Sequence, residues 1–300
     1  MTADDPAVPA VACVLLNWNG WQDTLRCLAA LGRTDYVNLS VIVVDNGSSD
    51  DSVDRIRAAF AELRLPHASL VETGRNLGFA GGVNAGIRCA LERNAQFVWL
   101  LNNDAEPLPD ALTALIGKAG TNPRYGAVGS VLLYAHDPGT VQAWGGGRIN
   151  CWIGHASHAT GFRDDEWFDY ITAASVLLPA RAFEDIGLLD ERFFLYWEDG
   201  DLSFRLRHRG WKLGVAAEST VLHRENASTG GDRSKIDRFS TASGIQFLHK
   251  HSRVPWLSIS LFLLLRLGKR LALGRFKRVG AVVGGVYDYV KSKDRDPRVS

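Results

Sequence analysis

Three apolar runs, VACVLLN (Val11–Asn17), LSVIVVD (Leu39–Asp45) and FVWLLN (Phe97–Asn102), decide the fold of this chain. Each is continuous rather than alternating in hydrophobicity, and each ends on Asn or Asp. A strand covered on both faces reads this way, because neither side meets water. SLVET (Ser69–Thr73) reads as a further strand. Between these runs, Leu25, Leu28 and Leu31, then Val53, Ile56 and Phe60, then Gly86 to Leu91 lie on helical segments. Strand and helix in alternation predict a parallel sheet with helices on both sides. Ligands of such open sheets bind beyond the carboxyl ends of the strands. Asn17, Asp45 and Asp104 should therefore share one crevice.

After about Pro123 the pattern changes. Ala143–Phe168, which contains AWGGGRINCWIGHASHATG, is rich in Gly, Trp and His and has no period. It is expected to be irregular, or a flap over the crevice. Regular structure should return in YITAASVLLPARAFEDIG (170–187) and in a helix from about Asp199 to Arg209, ended by Gly210. AESTVL (217–222) reads as a strand leading into His223. From His251 the composition shifts again, to an apolar block with Trp256, Phe262 and many leucines. Arg266, Lys269, Arg270, Arg275, Lys277 and Arg278 follow.

The bulk properties exclude several classes. A chain of 300 residues with 46% hydrophobic and 22% charged residues can bury a substantial core. A formal net charge of +1 lacks the basic excess of a nucleic-acid binder. The four cysteines, Cys13, Cys27, Cys89 and Cys151, have neither metal-ligand nor redox spacing, which suits a reducing, cytoplasmic compartment. MTADDPAVPA at the N-terminus is acidic where a signal peptide would be basic and apolar. The longest apolar run, Val254–Leu265, is shorter than the ~20 residues a spanning helix needs. It reads instead as an amphipathic segment for peripheral membrane contact, with five cations between Lys269 and Arg278 to attract anionic headgroups, or as a packed helical appendage.

The chemistry-bearing residues fall in separate motifs. VDNGSSDDS places Asp45 at a strand end, where it can accept from a ribose hydroxyl or a base N–H, or simply close a turn above a helix cap. GRNLGFAGGVNAGI (Gly74–Ile87) is glycine-rich enough for close approach to phosphates or for tight helix packing. Its spacing is not G-x-G-x-x-G, which argues against a Rossmann dehydrogenase. LLNNDAEP ends a strand in Asn102, Asn103 and Asp104, and a carboxylate there can bind Mg²⁺ or Mn²⁺ bridging to a diphosphate. WEDGDLSFRLRHRG puts Glu198, Asp199 and Asp201 at a helix start. Such clusters usually answer the helix dipole, but the preceding FFLYW would desolvate a carboxylate and suit it to deprotonate a hydroxyl. His223 is a candidate partner for Asp104 on a metal, although a lone histidine is more often structural. Trp144, Trp152, Trp167 and Trp197 could stack on a sugar face or fill a core.

In order along the chain, Asn17 and Asn19, Val44–Asp50, Asn76–Gly86, Leu101–Asp104, Phe194–Arg205 and His223 resemble the motifs of the inverting family 2 glycosyltransferases, in particular their bacterial rhamnosyltransferase-like branch. The resemblance covers about Val11–Ser228. It implies an α/β GT-A fold of the nucleotide-diphospho-sugar transferase type: a mostly parallel sheet flanked by helices over residues 1–250, with a helical appendage over 251–300. It also implies that Leu16, Asn17 and Asp45 hold the nucleoside, that Asn76 and Asn84 shape its pocket, and that Asn103 faces the ribose. Asp104 and His223 would be the protein ligands of a divalent Mg²⁺ or Mn²⁺. Asp199 would be the general base, with Glu198 positioning it or the acceptor, and Trp197 would lie on the acceptor side. Two departures stand out: the D-x-D element is Asn102-Asn103-Asp104, with one carboxylate, and Ala173-Ala174-Ser175 stands where a glycine is common.

The implied reaction moves a sugar, with dTDP-rhamnose as favoured donor, to a hydroxyl of a saccharide or lipid-linked acceptor in cell-surface polysaccharide or glycoconjugate biosynthesis. Its place would be the cytoplasm or the inner face of the plasma membrane. Two other classes compete. A nucleotidyltransferase making nucleotide sugars needs a basic, Gly-rich loop after the first strand, where this chain has NWNGWQD. A non-catalytic nucleotide-sugar-binding module has no need of the Glu198-Asp199 pair.

Overall fold

A computed structural model describes residues 8–63, 65, 67–224 and 232–293. The first seven residues and the end of the VLHRENAS motif (225–228) lie outside them. The N-terminal half follows the expected alternation: β1 (Val11–Asn17), α1 (Trp21–Leu31), β2 (Leu39–Asp45), α2 (Ser52–Glu62), β3 (Ala68–Glu72), α3 (Gly78–Glu92) and β4 (Phe97–Asn102). The second half adds β5 (Ala105–Pro107), α4 (Ala111–Gly120), β6 (Tyr125–Tyr134), β7 (Asp137–Trp144), β8 (Gly146–Asn150), β9 (His155–His158), β10 (Tyr170–Ile171) and β11 (Ser175–Pro179). It closes with α5 (Ala180–Ile186), α6 (Glu198–His208), β12 (Lys212–His223), α7 (Arg233–His251), α8 (Pro255–Ala272) and α9 (Phe276–Lys293).

The main sheet runs β3-β2-β1-β4-β11-β6-β12-β5, with β7 paired to β6. Strands β1 to β4 are mutually parallel, β11 is antiparallel to both β4 and β6, and β12 is parallel to β6. The sheet as a whole is therefore mixed, and its continuous parallel run is the N-terminal half. Side chains alternate across it with period two. Ala12 and Val14 of β1 and Val98 and Leu100 of β4 pack with Val83 and Ile87 of α3, Phe183 of α5 and Leu206 of α6. Cys13, Leu15, Trp99 and Leu101 pack on the other face with Leu28 of α1, Ile56 of α2 and Leu115 of α4.

The Gly-Trp-His stretch, expected to be irregular, is ordered. It completes β7 and forms β8 and β9, which join β10 in a three-stranded antiparallel sheet. Its glycines serve close strand contact: a Cβ on Gly146 or Gly147 would strike the backbone of Tyr170 or Ser157. A strand built from Gly, His and Ser lacks the apolar pattern that announces strands.

A third core joins this small sheet to the C-terminal helices. Ile149, Tyr170 and Phe193 meet Phe247 and Leu248 of α7, Ile259 and Phe262 of α8, and Tyr289 of α9. The helical appendage thus starts at Arg233, and a division at residue 250 passes through the last turn of α7.

Candidate active site

Register alone gathers the strand-end residues. Asn17 lies opposite Asp45 and Leu16 opposite Asn102, so three strands end level along one edge. Asn17 is fully buried and its amide donates to Asp45 Oδ1 (2.9 Å) and Ser48 Oγ (3.2 Å). Asp45 Oδ2 accepts from the Ser48 N–H (3.0 Å). Thr24 Oγ1 donates to Asn17 Oδ1 (2.9 Å) and accepts from Asn103 Nδ2 (3.0 Å). A hydrogen-bonded chain therefore runs from Asp45 through Asn17 and Thr24 to Asn103, beside Asp104. Orphaning any buried member would cost about 1–3 kcal/mol.

The glycine-rich segment closes the edge beside Asp45 and Asn46. Asn76 Oδ1 accepts from the Gly78 N–H (2.8 Å) and from Asn46 Nδ2 (3.2 Å), and Asn46 Oδ1 accepts from the Leu77 N–H (3.0 Å). Asn84 faces elsewhere: it donates to Leu189 O (2.8 Å) and Glu191 Oε1 (2.9 Å) and accepts from the Leu189 N–H (3.0 Å), pinning the 187–191 loop to α3. Gly82 and Gly86 sit where a Cβ would collide with Leu16 and with Val14 and Val44. These two glycines bring the helix onto the sheet.

The second group forms around Asp104. Pairing of β12 with β5 sets His223 opposite Ala105, so His223 Nε2 comes within 3.1 Å of Asp104 Oδ1. Its Nδ1 lies 2.7 Å from Gln142 Oε1, an acceptor, so Nδ1 carries the hydrogen. Nε2, left without a hydrogen, then faces both the Asn102 amide (Nδ2, 3.3 Å) and the Asp104 carboxylate. Nε2 and that carboxylate, two acceptors 3.1 Å apart, need a proton or a cation between them. A second-layer acceptor orienting a ligating imidazole is the usual arrangement at metal sites. Among the described residues no group of three or more His, Cys, Asp or Glu side chains forms a complete cage. The pair fits a hard ion that completes its shell from substrate oxygens and water.

The third group is the start of α6. Tyr196 and Trp197 both take left-handed backbone angles, φ 70° and 71°, which non-glycine residues rarely adopt. This turn delivers Glu198 and Asp199 to the interior. Asp199 Oδ1 accepts from the Gly200 N–H (2.7 Å) and Oδ2 from the Ala173 N–H (3.4 Å). Ala174 O accepts in turn from the Asn102 N–H (3.0 Å), tying this helix start to the end of β4. The alanine that replaces the common glycine thus supplies a backbone donor to Asp199.

Burial pushes the Glu198 carboxyl well above the usual range, and Asp199 and Asp201 push it further. Its Oε2 is buried with no hydrogen-bond partner. Burial also raises Asp199, with the Gly200 N–H, His158 and the Ala173 N–H pulling the other way. Asp201 is different. Burial would raise it, but His251 (2.7 Å), Arg205 (2.8 Å) and Lys250 (2.6 Å) hold it below the usual range. It is a structural tie from α6 to α7.

The tryptophans divide. Trp197 tilts against Phe247 (4.9 Å between centroids) at the edge of the third core, Trp144 and Trp167 pack on the main core, and Trp152 is exposed. Residues that sequence reading missed are Thr24, Asn46, Gln142, the Ala173 N–H, and the pair His158 and Tyr170, whose hydroxyl lies 3.1 Å from His158 Nδ1. Asn46 adjoins Asp45 and was open to notice. The others lie on elements whose approach no local pattern reveals.

Residues 13–171, more than half of the chain, match the model of glycosyl transferase family 2. The chain is 29% identical over 233 residues, 69% of its length and 73% of the relative's, to an N-acetylglucosaminyl-diphospho-decaprenol L-rhamnosyltransferase of Mycobacterium tuberculosis. It is 26% identical over 224 residues, 72% and 67% of the two chains, to the low-salt glycan biosynthesis hexosyltransferase Agl10 of Haloferax volcanii. In fold it is similar to a mannosyltransferase from Pyrobaculum calidifontis solved with GDP-Man and Mn²⁺, with TM-score 0.62, 16% identity, and coverage of 94% and 87%. It is likewise similar to GalNAc-T7 solved with UDP, GalNAc and Mn²⁺, with TM-score 0.64, 13% identity, and coverage of 85% and 54%. The ordered motifs, the mixed sheet and the family match agree: the chain belongs to glycosyl transferase family 2 and is a glycosyltransferase of the GT-A fold.

Proposed function

We propose that this enzyme transfers a sugar, rhamnose from dTDP-rhamnose by preference, to a hydroxyl of a saccharide or lipid-linked acceptor, with inversion and with help from Mg²⁺ or Mn²⁺. The setting would be cell-surface polysaccharide or glycoconjugate biosynthesis. The observation that carries the reading is the convergence of Asp104 and His223 Nε2 at 3.1 Å, beyond the end of β4 to which buried Glu198 and half-buried Asp199 at the start of α6 are tied through Ala173 and Ala174. The rhamnosyl preference leans on the Mycobacterium tuberculosis relative, and the metal on the Mn²⁺ named with both solved structures.

Asp45, with Asn17 and Ser48 orienting it, would accept from the nucleoside, and Leu16 and Asn76 would border the same pocket. Asn103 is engaged with Thr24, so it would act by holding that network in place. Asp104 and His223 would hold the divalent ion, which supplies charge neutralisation for the departing diphosphate. Asp199 would take the acceptor hydroxyl proton while that oxygen attacks the anomeric carbon from the face opposite the leaving group. Two backbone N–H groups hold Asp199 for the task. Glu198, buried and protonated, would keep a second negative charge away from it.

A panel of nucleotide-diphosphate sugars, each with Mn²⁺, Mg²⁺ or EDTA, tests this reading by following release of the nucleoside diphosphate. Turnover should be greatest with dTDP-rhamnose, stop in EDTA and return with added metal. Asp104→Ala and His223→Ala should each weaken metal-dependent nucleotide binding. Full activity in EDTA would remove the metal from the proposal, and preference for another donor would replace the sugar.

A further inference from the structure

We infer that the outer face of α8 and the α8–α9 turn form the surface by which this protein lies on an anionic lipid bilayer. The inference does not rest on the identity of donor or metal. Among the described residues no helix is long and apolar enough to cross a membrane. Yet α8 is apolar on both sides. Ser258, Ile259 and Phe262 face the protein. On the opposite half Trp256, Leu257, Leu264, Leu265 and Leu271 are exposed, each by more than half of its surface. These five recur at helical spacing along one side of the helix, a stripe about 22 Å long at the α-helical rise. Leu273 and Phe276 extend it around the turn, both exposed. A contiguous exposed apolar strip of this kind marks an interaction site.

Charge selects the partner. Between Ser252 and Tyr287 stand seven Lys and Arg residues and no acid, in a chain whose net charge is only +1. They do not all face outward, which corrects the expectation that five cations between Lys269 and Arg278 reach headgroups. Arg270 and Arg278 turn inward to Asp237, as does Arg266. Arg253, Lys269, Arg275 and Lys277 are exposed, and the last three flank Leu271, Leu273 and Phe276 at the turn. An apolar strip rimmed by cations matches the boundary between acyl chains and anionic headgroups. A second copy of the chain would instead set these cations against one another. With few outward cations, apolar burial carries most of the attachment and charge carries the lipid preference.

Flotation of the full-length protein with vesicles of phosphatidylcholine, and of phosphatidylcholine mixed with phosphatidylglycerol, tests the inference. The protein should float with the mixed vesicles and keep part of that binding at high salt, because screening weakens only the ionic share. Combined Leu264→Ser, Leu265→Ser and Phe276→Ser should lower partitioning at least ~10-fold on both vesicles. Combined Lys269→Gln, Arg275→Gln and Lys277→Gln should abolish the preference for phosphatidylglycerol, at roughly fivefold per cation. Lipids brominated on their acyl chains provide a test that alters no fold. They should quench the wild-type protein more than Trp256→Phe, the difference being the quenching of Trp256. Failure of the folded wild type to float would overturn the inference, as would equal quenching of the two proteins. A solution dimer that the serine variant turns into a monomer would overturn it too, by giving the face to a second copy. Donor turnover should be unchanged in both combined variants, so failure here is separable from failure of the proposed chemistry.

Discussion

Glu198 and Asp199 are neighbours in sequence, yet the structure gives their carboxyls different surroundings, which suit the different duties proposed for them. Both are raised by burial, but only Asp199 has backbone N–H donors on both oxygens, so it ionises first and Glu198 keeps the proton. A base must be ionised to act, so activity should fall as pH drops through the raised Asp199 value. The acid limb of kcat/KM should therefore lie above the ordinary aspartate value of 3.8. Asp199→Asn should lower turnover at least ~100-fold while leaving donor affinity, measured by calorimetry, nearly intact. Glu198→Gln imitates the protonated acid and should keep most activity. It should also not lower Tm at neutral pH, since a carboxyl whose folded pKa is raised opposes folding once the solution is above its unfolded value. Near-wild-type turnover in Asp199→Asn would assign the base elsewhere. The two acids, and through the resemblance the role expected of each, were legible in the sequence, but the difference between their surroundings was not. It depends on the Ala173 N–H, which a turn 26 residues upstream brings into reach.

Among the elements, α3 shows how a sequence pattern can be seen and still be misread. Its glycines suggested phosphate contact as readily as packing, and at Gly82 and Gly86 packing holds. Gly86 lies against Val14 and Val44, so Gly86→Val must push α3 off the parallel strands. The expected loss is about 1–3 kcal/mol, read as a lower denaturant midpoint, with weakened nucleotide binding because the hydrogen bonds of Asn46 to Leu77 and Gly78 at the start of α3 are strained. Unchanged stability would mean that α3 has slack at this contact. The β8–β9–β10 sheet was missed for the converse reason. Its strands are held by backbone pairing and by glycines that admit a neighbouring strand, and neither leaves a hydrophobic period to read.

At the scale of the whole molecule, the three C-terminal helices are part of the catalytic fold. Gly200, one residue from Asp199, packs against Ile149 and Phe247, so α7 supports the helix that carries the proposed base. Asp237 knots the three helices together: Arg270 Nε donates to it at 2.9 Å, Arg278 Nε at 2.5 Å and Arg266 at 3.4 Å. Burial would raise this carboxyl, but Arg270 and Arg278 hold it at about 2, against 3.8 when free. Its stabilisation is complete above 3.8 and should be lost as pH falls toward 2, an effect of at most about 2 kcal/mol. Hydrogen exchange in α7 to α9 should rise across that window in the wild type. Asp237→Asn should show faster exchange already at neutral pH and no such step, and a step preserved in the variant would place the transition on another group.

Sequence by itself determined the buried strands, the helices between them, and which strand ends carry Asn17, Asp45 and Asp104, because hydrophobic period and strand-end position are local properties. It also displayed an ordered series of motifs dense enough to indicate the family. Tertiary structure alone decided that the sheet is mixed, that it is the β12–β5 pairing which brings His223 to its expected partner Asp104, and that Arg270 and Arg278 turn inward to Asp237. It also decided which half of α8 is left bare. These depend on contacts between residues distant in the chain, where register and packing choose the partner and composition cannot.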